Sequence, residues 1–362
     1  MVLERIKWID SSRGVAILCL IFIHYIGAIE ARGFISYELM NIIKMIFRIA
    51  TPYFIFIFGF TFAIVYQNKV VSIIAVKALY KKLYYRLALV LIAREVIVLV
   101  SAVRYPNMAE HLWSILLYQD SSRSGEILTF YFFAIILAPI ALFIMTKQSQ
   151  FTNVLSIIAL YMFGYFVGTS YPSMYEHLAF RLFFYDVYAF FPFFSLVMFG
   201  MYCGICYRSL KNDKDRLFIF LKLGTAFMVS GFIILQFATD TPVYALATSA
   251  LKSPPHISYL LIYSGMTIVV TSAVAVCYTG RYLPAFIFNF LNLIGRNSLL
   301  SYVLHYFLFV ATPISIYIFG IESKHYELYT FIAMLIALFG VVYLRDTYKK
   351  NRLKSIKSGI KQ

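Results

Sequence analysis

Asp10-Ser11-Ser12-Arg13-Gly14-Val15-Ala16-Ile17-Leu18-Cys19-Leu20-Ile21-Phe22-Ile23-His24-Tyr25 runs a charged, turn-prone head straight into an apolar helix. The apolar part carries one imidazole, His24. At helical rise it lies about 15 Å from the helix start. For a helix that crosses a bilayer, this is close to the midplane of a ~30 Å hydrocarbon core. Arg13 and His24 are about three whole turns apart, so they share nearly one face. Asp10 precedes Arg13 by one turn, a spacing at which the pair can lock the helix start. An imidazole at mid-depth has two readings. It marks a functional site, because ionisable groups there are costly, or it is polar glue bonded to a neighbouring helix.

Composition extends this reading to the whole chain. Hydrophobic residues make up 62% and charged residues 13%, against about a quarter charged in soluble domains. The expected class is an all-α integral membrane protein. The first apolar run is too long for a signal-peptide core and no small-residue cleavage site follows it, so no cleavable signal is expected. The net charge of +16 does not point to nucleic acid, since the cations sit in short loops and in the tail. Cys19, Cys203, Cys206 and Cys277 all fall in apolar runs and read as small buried hydrophobes. Cys203-Gly204-Ile205-Cys206 has metal-site spacing, but no second pair or histidine supports it, and no metal is expected.

Apolar runs predict about ten transmembrane helices, at 14–31, 43–66, 83–103, 126–145, 152–169, 187–207, 217–237, 257–279, 297–319 and 326–344. With the N-terminus inside, about 22 of the 32 Lys and Arg residues fall on the inner side and about eight outside, Arg32, Arg123 and Lys324 among them. Both termini are therefore expected in the cytoplasm. Residues 1–345 read as one transmembrane domain and 346–362 as a basic cytoplasmic tail. The outer loops 104–125 and 170–186 mix aromatics with carboxylates. That mixture suits a sugar-bearing ligand, and it equally suits an interfacial aromatic belt.

Three further stretches carry candidate chemistry. In Ala50-Thr51-Pro52-Tyr53-Phe54-Ile55-Phe56-Ile57-Phe58-Gly59-Phe60, Pro52 is expected to kink the second span and Gly59 to permit close helix approach. The third span opens with Lys81, Lys82 and Arg86 at the inner face and then holds Arg94-Glu95 within its apolar run. Neighbouring residues point about 100° apart, so Arg94 and Glu95 need not pair. They are candidates for a cavity or a substrate path. In Gly295-Arg296-Asn297-Ser298-Leu299-Leu300-Ser301-Tyr302-Val303-Leu304-His305, the residues Asn297, Ser301 and His305 form a polar stripe on one face. His305 lies about 13 Å deep, matching His24. A shared polar cavity is the cheapest way to bury both imidazoles. The segment 283–294 is too interrupted for a span and reads as an interfacial or re-entrant helix.

Taken in order, these motifs resemble the multi-pass membrane acyltransferase superfamily. Its members include acyltransferase family 3, the periplasmic-glucan succinyltransferases and the heparan-α-glucosaminide N-acetyltransferase type. Phe191-Pro192-Phe193-Phe194 and Ser253-Pro254-Pro255 with Tyr259 lean toward the last type. The resemblance implies an acyl group, usually acetyl, taken from a cytoplasmic acyl-CoA and delivered to a glycan on the far side. It implies that His24 is the catalytic histidine and that Arg13 holds the donor. The family's third span usually carries two nearby arginines; Lys82 and Arg86 stand there in this chain, a looser match, as further donor-binding candidates.

An imidazole suits this chemistry because its ordinary pKa near 6.5 allows it to act as a general base or as a nucleophile. Direct transfer and an acyl-histidine remain equal alternatives. The implied partners are an acyl-CoA donor, acetyl-CoA above all, a cell-surface or lipid-linked glycan acceptor and the lipids of the cell membrane. The competing reading is a transporter or flippase for a glycan or lipid-linked sugar, with His24, His305, Arg94 and Glu95 as its path. No pair of interrupted spans in corresponding halves supports that reading.

Overall fold

The computed structural model describes residues 6–30, 35–120, 122, 124–209, 213–319 and 326–359. Arg32, Arg123 and Lys324, which enter the charge count, lie outside the described residues. The described residues contain helices and no strand, apart from an isolated bridge between Lys252 and Pro255.

The helices are α1 (Lys7–Glu30), α2 (Tyr37–Phe47), α3 (Ala50–Tyr66), α4 (Ile73–Arg104), α5 (Glu126–Met145), α6 (Gln150–Ser170), α7 (Phe190–Ser209), α8 (Asp213–Ala238), α9 (Pro242–Thr248), α10 (Ile257–Thr279), α11 (Ala285–Arg296), α12 (Ser298–Phe319) and α13 (Tyr326–Gly359). Short helical turns fill 106–116 and 172–185. Each of the ten expected spans coincides with one of the long helices, α2 and α3 together making the second. Among the described residues, eight segments are long and apolar enough to cross a membrane, and the chain is an all-α membrane protein. α4 falls outside that group because seven charged residues, from Lys77 to Arg104, interrupt it. At 32 residues it is about 48 Å long, so its Lys77–Arg86 part outreaches a ~30 Å apolar core.

Side-chain caps start several helices, as the sequence dictates. Ser72 Oγ accepts from the Ala75 amide at 3.2 Å, and Ser149 Oγ accepts from the Thr152 amide at 3.1 Å. Pro52 does not kink a continuous span. The chain breaks before it, at Arg48-Ile49, and Pro52 sits in the first turn of α3. A missing amide costs least there, because first-turn amides have no helical partner. The segment 283–294 is a helix of its own within α11, too short to cross.

The bundle holds its tightest pairings by backbone contact. α3 lies against α7, where a Cβ on Gly59 would strike the Val197 carbonyl. α1 lies against α11 in the same way. A Cβ on Gly14 would strike the Leu291 carbonyl, and one on Gly295 the Asp10 carbonyl. Small residues let helices approach this closely where lipid leaves no hydrophobic drive between them. The Ser11 hydroxyl adds a bond to Asn292 Oδ1 at 3.0 Å. The α1 start is thereby fixed to α11, whose last residues lead directly into α12.

Candidate active site

α12 brings His305 to α1. The His24 and His305 rings lie with centroids 5.2 Å apart and planes 37° from parallel. Tyr306 packs on both, 4.4 Å from His305 and 6.1 Å from His24. Tyr302 closes the other side of His305 at 5.1 Å. The two imidazoles expected at matched depth are thus in ring contact.

Hydrogen bonding fixes the state of His305. Its Nδ1 bonds the backbone carbonyl of Tyr302, one turn earlier. A carbonyl only accepts, so Nδ1 carries the proton. In the neutral ring Nε2 is then an acceptor. This Nε2 is buried and has no hydrogen-bond partner among the described residues. The Ser301 hydroxyl, one turn below on the same face, is likewise buried without a partner among them. The third member of the stripe is different. Asn297 Nδ2 donates to the Leu293 carbonyl at 3.0 Å, while its Oδ1 accepts from Arg345 at 3.2 Å. Asn297 therefore joins α11, α12 and α13, and Ser301 with His305 keeps unspent polar capacity.

Tyrosines extend the site in both directions. The Tyr302 phenol interacts with Tyr306, Tyr188 and Tyr131. Tyr131, on α5, feels the charge of Arg13. Arg13 is half-buried near the start of α1, on the face that also carries His24. Of these phenols, Tyr302 and Tyr306 are in ring contact, with centroids 5.6 Å apart.

Asp10 is buried, at 4% exposure, and borders a cleft of about 860 Å³ between α1, α11 and α13. Lys7, Asn292, Arg296 and Asp346 also line it, over a floor that includes Phe290 and Phe339. Arg296 donates to Asp346 at 3.3 Å across its rim. From Asp10 to His24 is about 21 Å along α1, so the cleft lies at the foot of the boundary on which the histidines sit.

The remaining candidates stand apart. Lys82 and Arg86 are exposed on the N-terminal half of α4 and make no hydrogen bond or ion pair among the described residues. Arg94 and Glu95, whose directions leave pairing open, do pair. Arg94 Nη1 reaches both Glu95 oxygens, at 2.9 and 3.0 Å, because its long side chain swings round the helix. Its Nη2 donates to the Ile115 carbonyl at 2.9 Å, and the guanidinium stacks 4.2 Å from the Tyr118 ring. With these contacts made, Arg94 ties the 106–118 turns to α4. The 170–186 segment also spends polar groups internally: Tyr175 donates to the Gly168 carbonyl at 2.7 Å, and Arg181 pairs with Asp186 at 3.6 Å.

Sequence reading passed over Tyr131, Tyr188 and Tyr306. The spacing of Tyr302, His305 and Tyr306 was the available signal for the last, since i, i+3 and i+4 share a face. Tyr131 and Tyr188 sit among so many aromatics that no local pattern singles them out. Among the described residues there is no group of His, Cys, Asp or Glu able to hold a metal ion, and the four cysteines are unpaired thiols.

No curated protein and no solved structure matches the chain. The model of the acyltransferase domain of acyltransferase family 3 matches residues 6–346. That match spans every helix of the bundle, although α13 itself continues unbroken to Gly359. The two motif-bearing helices that meet at the histidine pair both fall inside it, and the chain belongs to acyltransferase family 3.

Proposed function

We propose that this acyltransferase moves an acyl group, acetyl in the first instance, from acyl-CoA to a hydroxyl or amine of a cell-surface or lipid-linked glycan. The termini face the cytoplasm and the acceptor meets the bundle from the opposite side. The nucleotide end of the donor docks at the foot of α1, where Lys7, Arg13 and Arg296 supply cations for its phosphates. The thioester then extends along the α1–α12 boundary toward His24.

His24 takes the proton of the acceptor hydroxyl as that oxygen attacks the thioester carbonyl. The carbon–sulfur bond breaks and the proton ends on the CoA sulfur. The alternative order, through an acyl-His24 that the acceptor then resolves, uses the same residues. His305 acts as a positioning residue. Its Nδ1–H is held by Tyr302, which leaves Nε2 to orient either the His24 ring or the incoming hydroxyl.

The observation that carries this reading is the facing pair of imidazoles with one tautomer fixed. The test is transfer of label from acetyl-CoA by purified protein in lipid discs. His24→Ala is expected to lose transfer by about 10²–10⁴-fold with donor affinity retained. Activity within a few-fold of the original chain would remove His24 from the chemistry.

A further inference from the structure

Lys252 lies in the turn between α9 and α10, yet it is only 8% exposed. Its ammonium sits 4.1 Å from the centre of the Tyr188 ring. No hydrogen-bond acceptor or carboxylate is bonded to it among the described residues. The stem of Lys252 is buried and its ammonium rests on a ring face, so the charge has few protein partners among the described residues.

Its charged neighbours come from three other segments. Arg48, at the break between α2 and α3, acts on Lys252, Tyr188, Tyr259 and Tyr263. Its Nη1 donates to the Ser249 hydroxyl beside the same turn. Glu126, the first residue of α5, is the carboxylate that acts on this group. Asp186 lies in the adjoining crevice with Glu126 and Tyr188, already paired with Arg181. The cluster therefore gathers two cations against one carboxylate. Burial and the Arg48 charge, partly offset by Glu126, bring the Lys252 ammonium down from its ordinary value to about 7.

Position gives the cluster its meaning. Tyr188 interacts with Lys252 and with Tyr306, and Tyr306 packs on both histidines. Two tyrosines in series, Tyr188 and Tyr306, thus stand between the cations and the histidines. The cluster sits where α3 and α5 begin, the end of the bundle opposite the α1 start. A ligand bound here approaches the histidines from the acceptor side.

We infer that Lys252, Arg48 and the Tyr188 ring form a subsite for an anionic substituent on the acceptor sugar. A carboxylate or phosphate there would accept from both cations, and the Tyr188 face would stack on the sugar. The inference deepens the acyltransferase reading and rests on it for the word acceptor. The subsite itself is a binding statement that stands without turnover.

Binding is therefore read first, on the full-length protein in lipid discs, with three short oligosaccharides: a neutral one, its uronic-acid counterpart and its phosphorylated counterpart. At least one anionic probe is expected to bind about tenfold or more tighter than the neutral one. Lys252→Met is expected to bring all three within about twofold of one another, and Lys252→Arg to keep the preference. The two anionic probes separate carboxylate from phosphate recognition, and either preference supports the subsite. Equal binding of all three by the original chain overturns it. So does a Lys252→Met protein that loses the neutral probe and thermal stability together, since Lys252 would then be scaffold. Acetyl transfer to the same probes is measured second. Anion preference without transfer to any of them leaves the subsite standing and sinks the glycan-acyltransferase reading.

Discussion

His24 on α1 and His305 on α12 face each other with ring centroids 5.2 Å apart, and the carbonyl of Tyr302 holds the Nδ1 proton of His305. Two rings so placed can divide the work, one reacting and one orienting. The division predicts unequal mutants. His305→Gln keeps an amide that can both donate and accept, and is expected to retain transfer within about tenfold. His305→Ala should lose more, and its pH–rate profile should shift relative to the original chain. If His305→Ala were inactive and His24→Ala active, the reacting role would belong to α12. The measurement is single-turnover acetyl transfer across pH.

The cleft at the foot of α1 makes a prediction of sign. Asp346 neutralises Arg296 across the rim at 3.3 Å. If Arg296 meets donor phosphate, Asp346→Asn strengthens CoA binding a few-fold, while Arg296→Ala and Arg13→Ala weaken it. Stability should change by no more than about 1 kcal/mol in Asp346→Asn, because the pair is partly exposed. Titration of each variant with CoA decides the matter, and a weakened Asp346→Asn complex would move the donor elsewhere.

Arg94 predicts a stability effect. It is 4% exposed and bonds Glu95 and the Ile115 carbonyl. Arg94→Met would remove the cation beside the partly exposed Glu95 carboxylate and one of the bonds to the Ile115 carbonyl, which keeps the Tyr118 amide, at about 1–3 kcal/mol. Thermal unfolding should fall accordingly, with His24 chemistry slowed only through loosening of the 106–118 turns. An unchanged unfolding temperature together with lost turnover would instead make Arg94 part of the substrate path.

Lys252 predicts a pH dependence of acceptor use. The free ammonium titrates at about 7, and its charged form is the one that holds an anion. As pH rises from 6 to 8, the apparent KM for an anionic acceptor should climb by about tenfold per unit above that value, and that for a neutral acceptor should not. Arg48 keeps its charge throughout, and Glu126 is the facing carboxylate, so neither supplies a rise in this window. A flat profile for the anionic acceptor would exclude Lys252 from contact with it.

Gly295→Ala is expected to be severe. The new methyl would collide with the Asp10 carbonyl, a backbone atom that no rotamer change can clear. Overpacking costs about 1–3 kcal/mol where side chains can yield, so this variant should lie at or above the top of that range. Expression with normal thermal stability would show that α1 and α11 can separate.

Much of this arrangement was legible in the sequence. Apolar run length located the ten long helices, because membrane depth sets helix length with little help from tertiary contacts. Equal depth for His24 and His305 follows from helical rise, and the bundle needed only to bring two faces together. Other features depended on reach or on several segments at once. The Arg94–Glu95 pair stays open in the sequence because Cα directions say little about a side chain as long as arginine. Lys82 and Arg86 read as donor-facing cations, and they stand exposed on α4 beside the buried Leu79 and Leu83. Lys252 carried no signal at all. Its burial depends on Arg48, Glu126 and Tyr188, which converge from three distant stretches.

The contact of Gly14 with Leu291 and of Gly295 with Asp10 has a mechanical consequence. Two helices joined main chain to main chain cannot slide or roll at the joint without breaking it. α1 is therefore pinned at its start beside Arg13, and its far half is clasped as well, since Tyr25 and Ile26 next to the imidazole are 4% and 2% exposed. Any movement that displaces His24 must carry the helices packed on α1 with it, so the bundle as a whole sets the register of the imidazole.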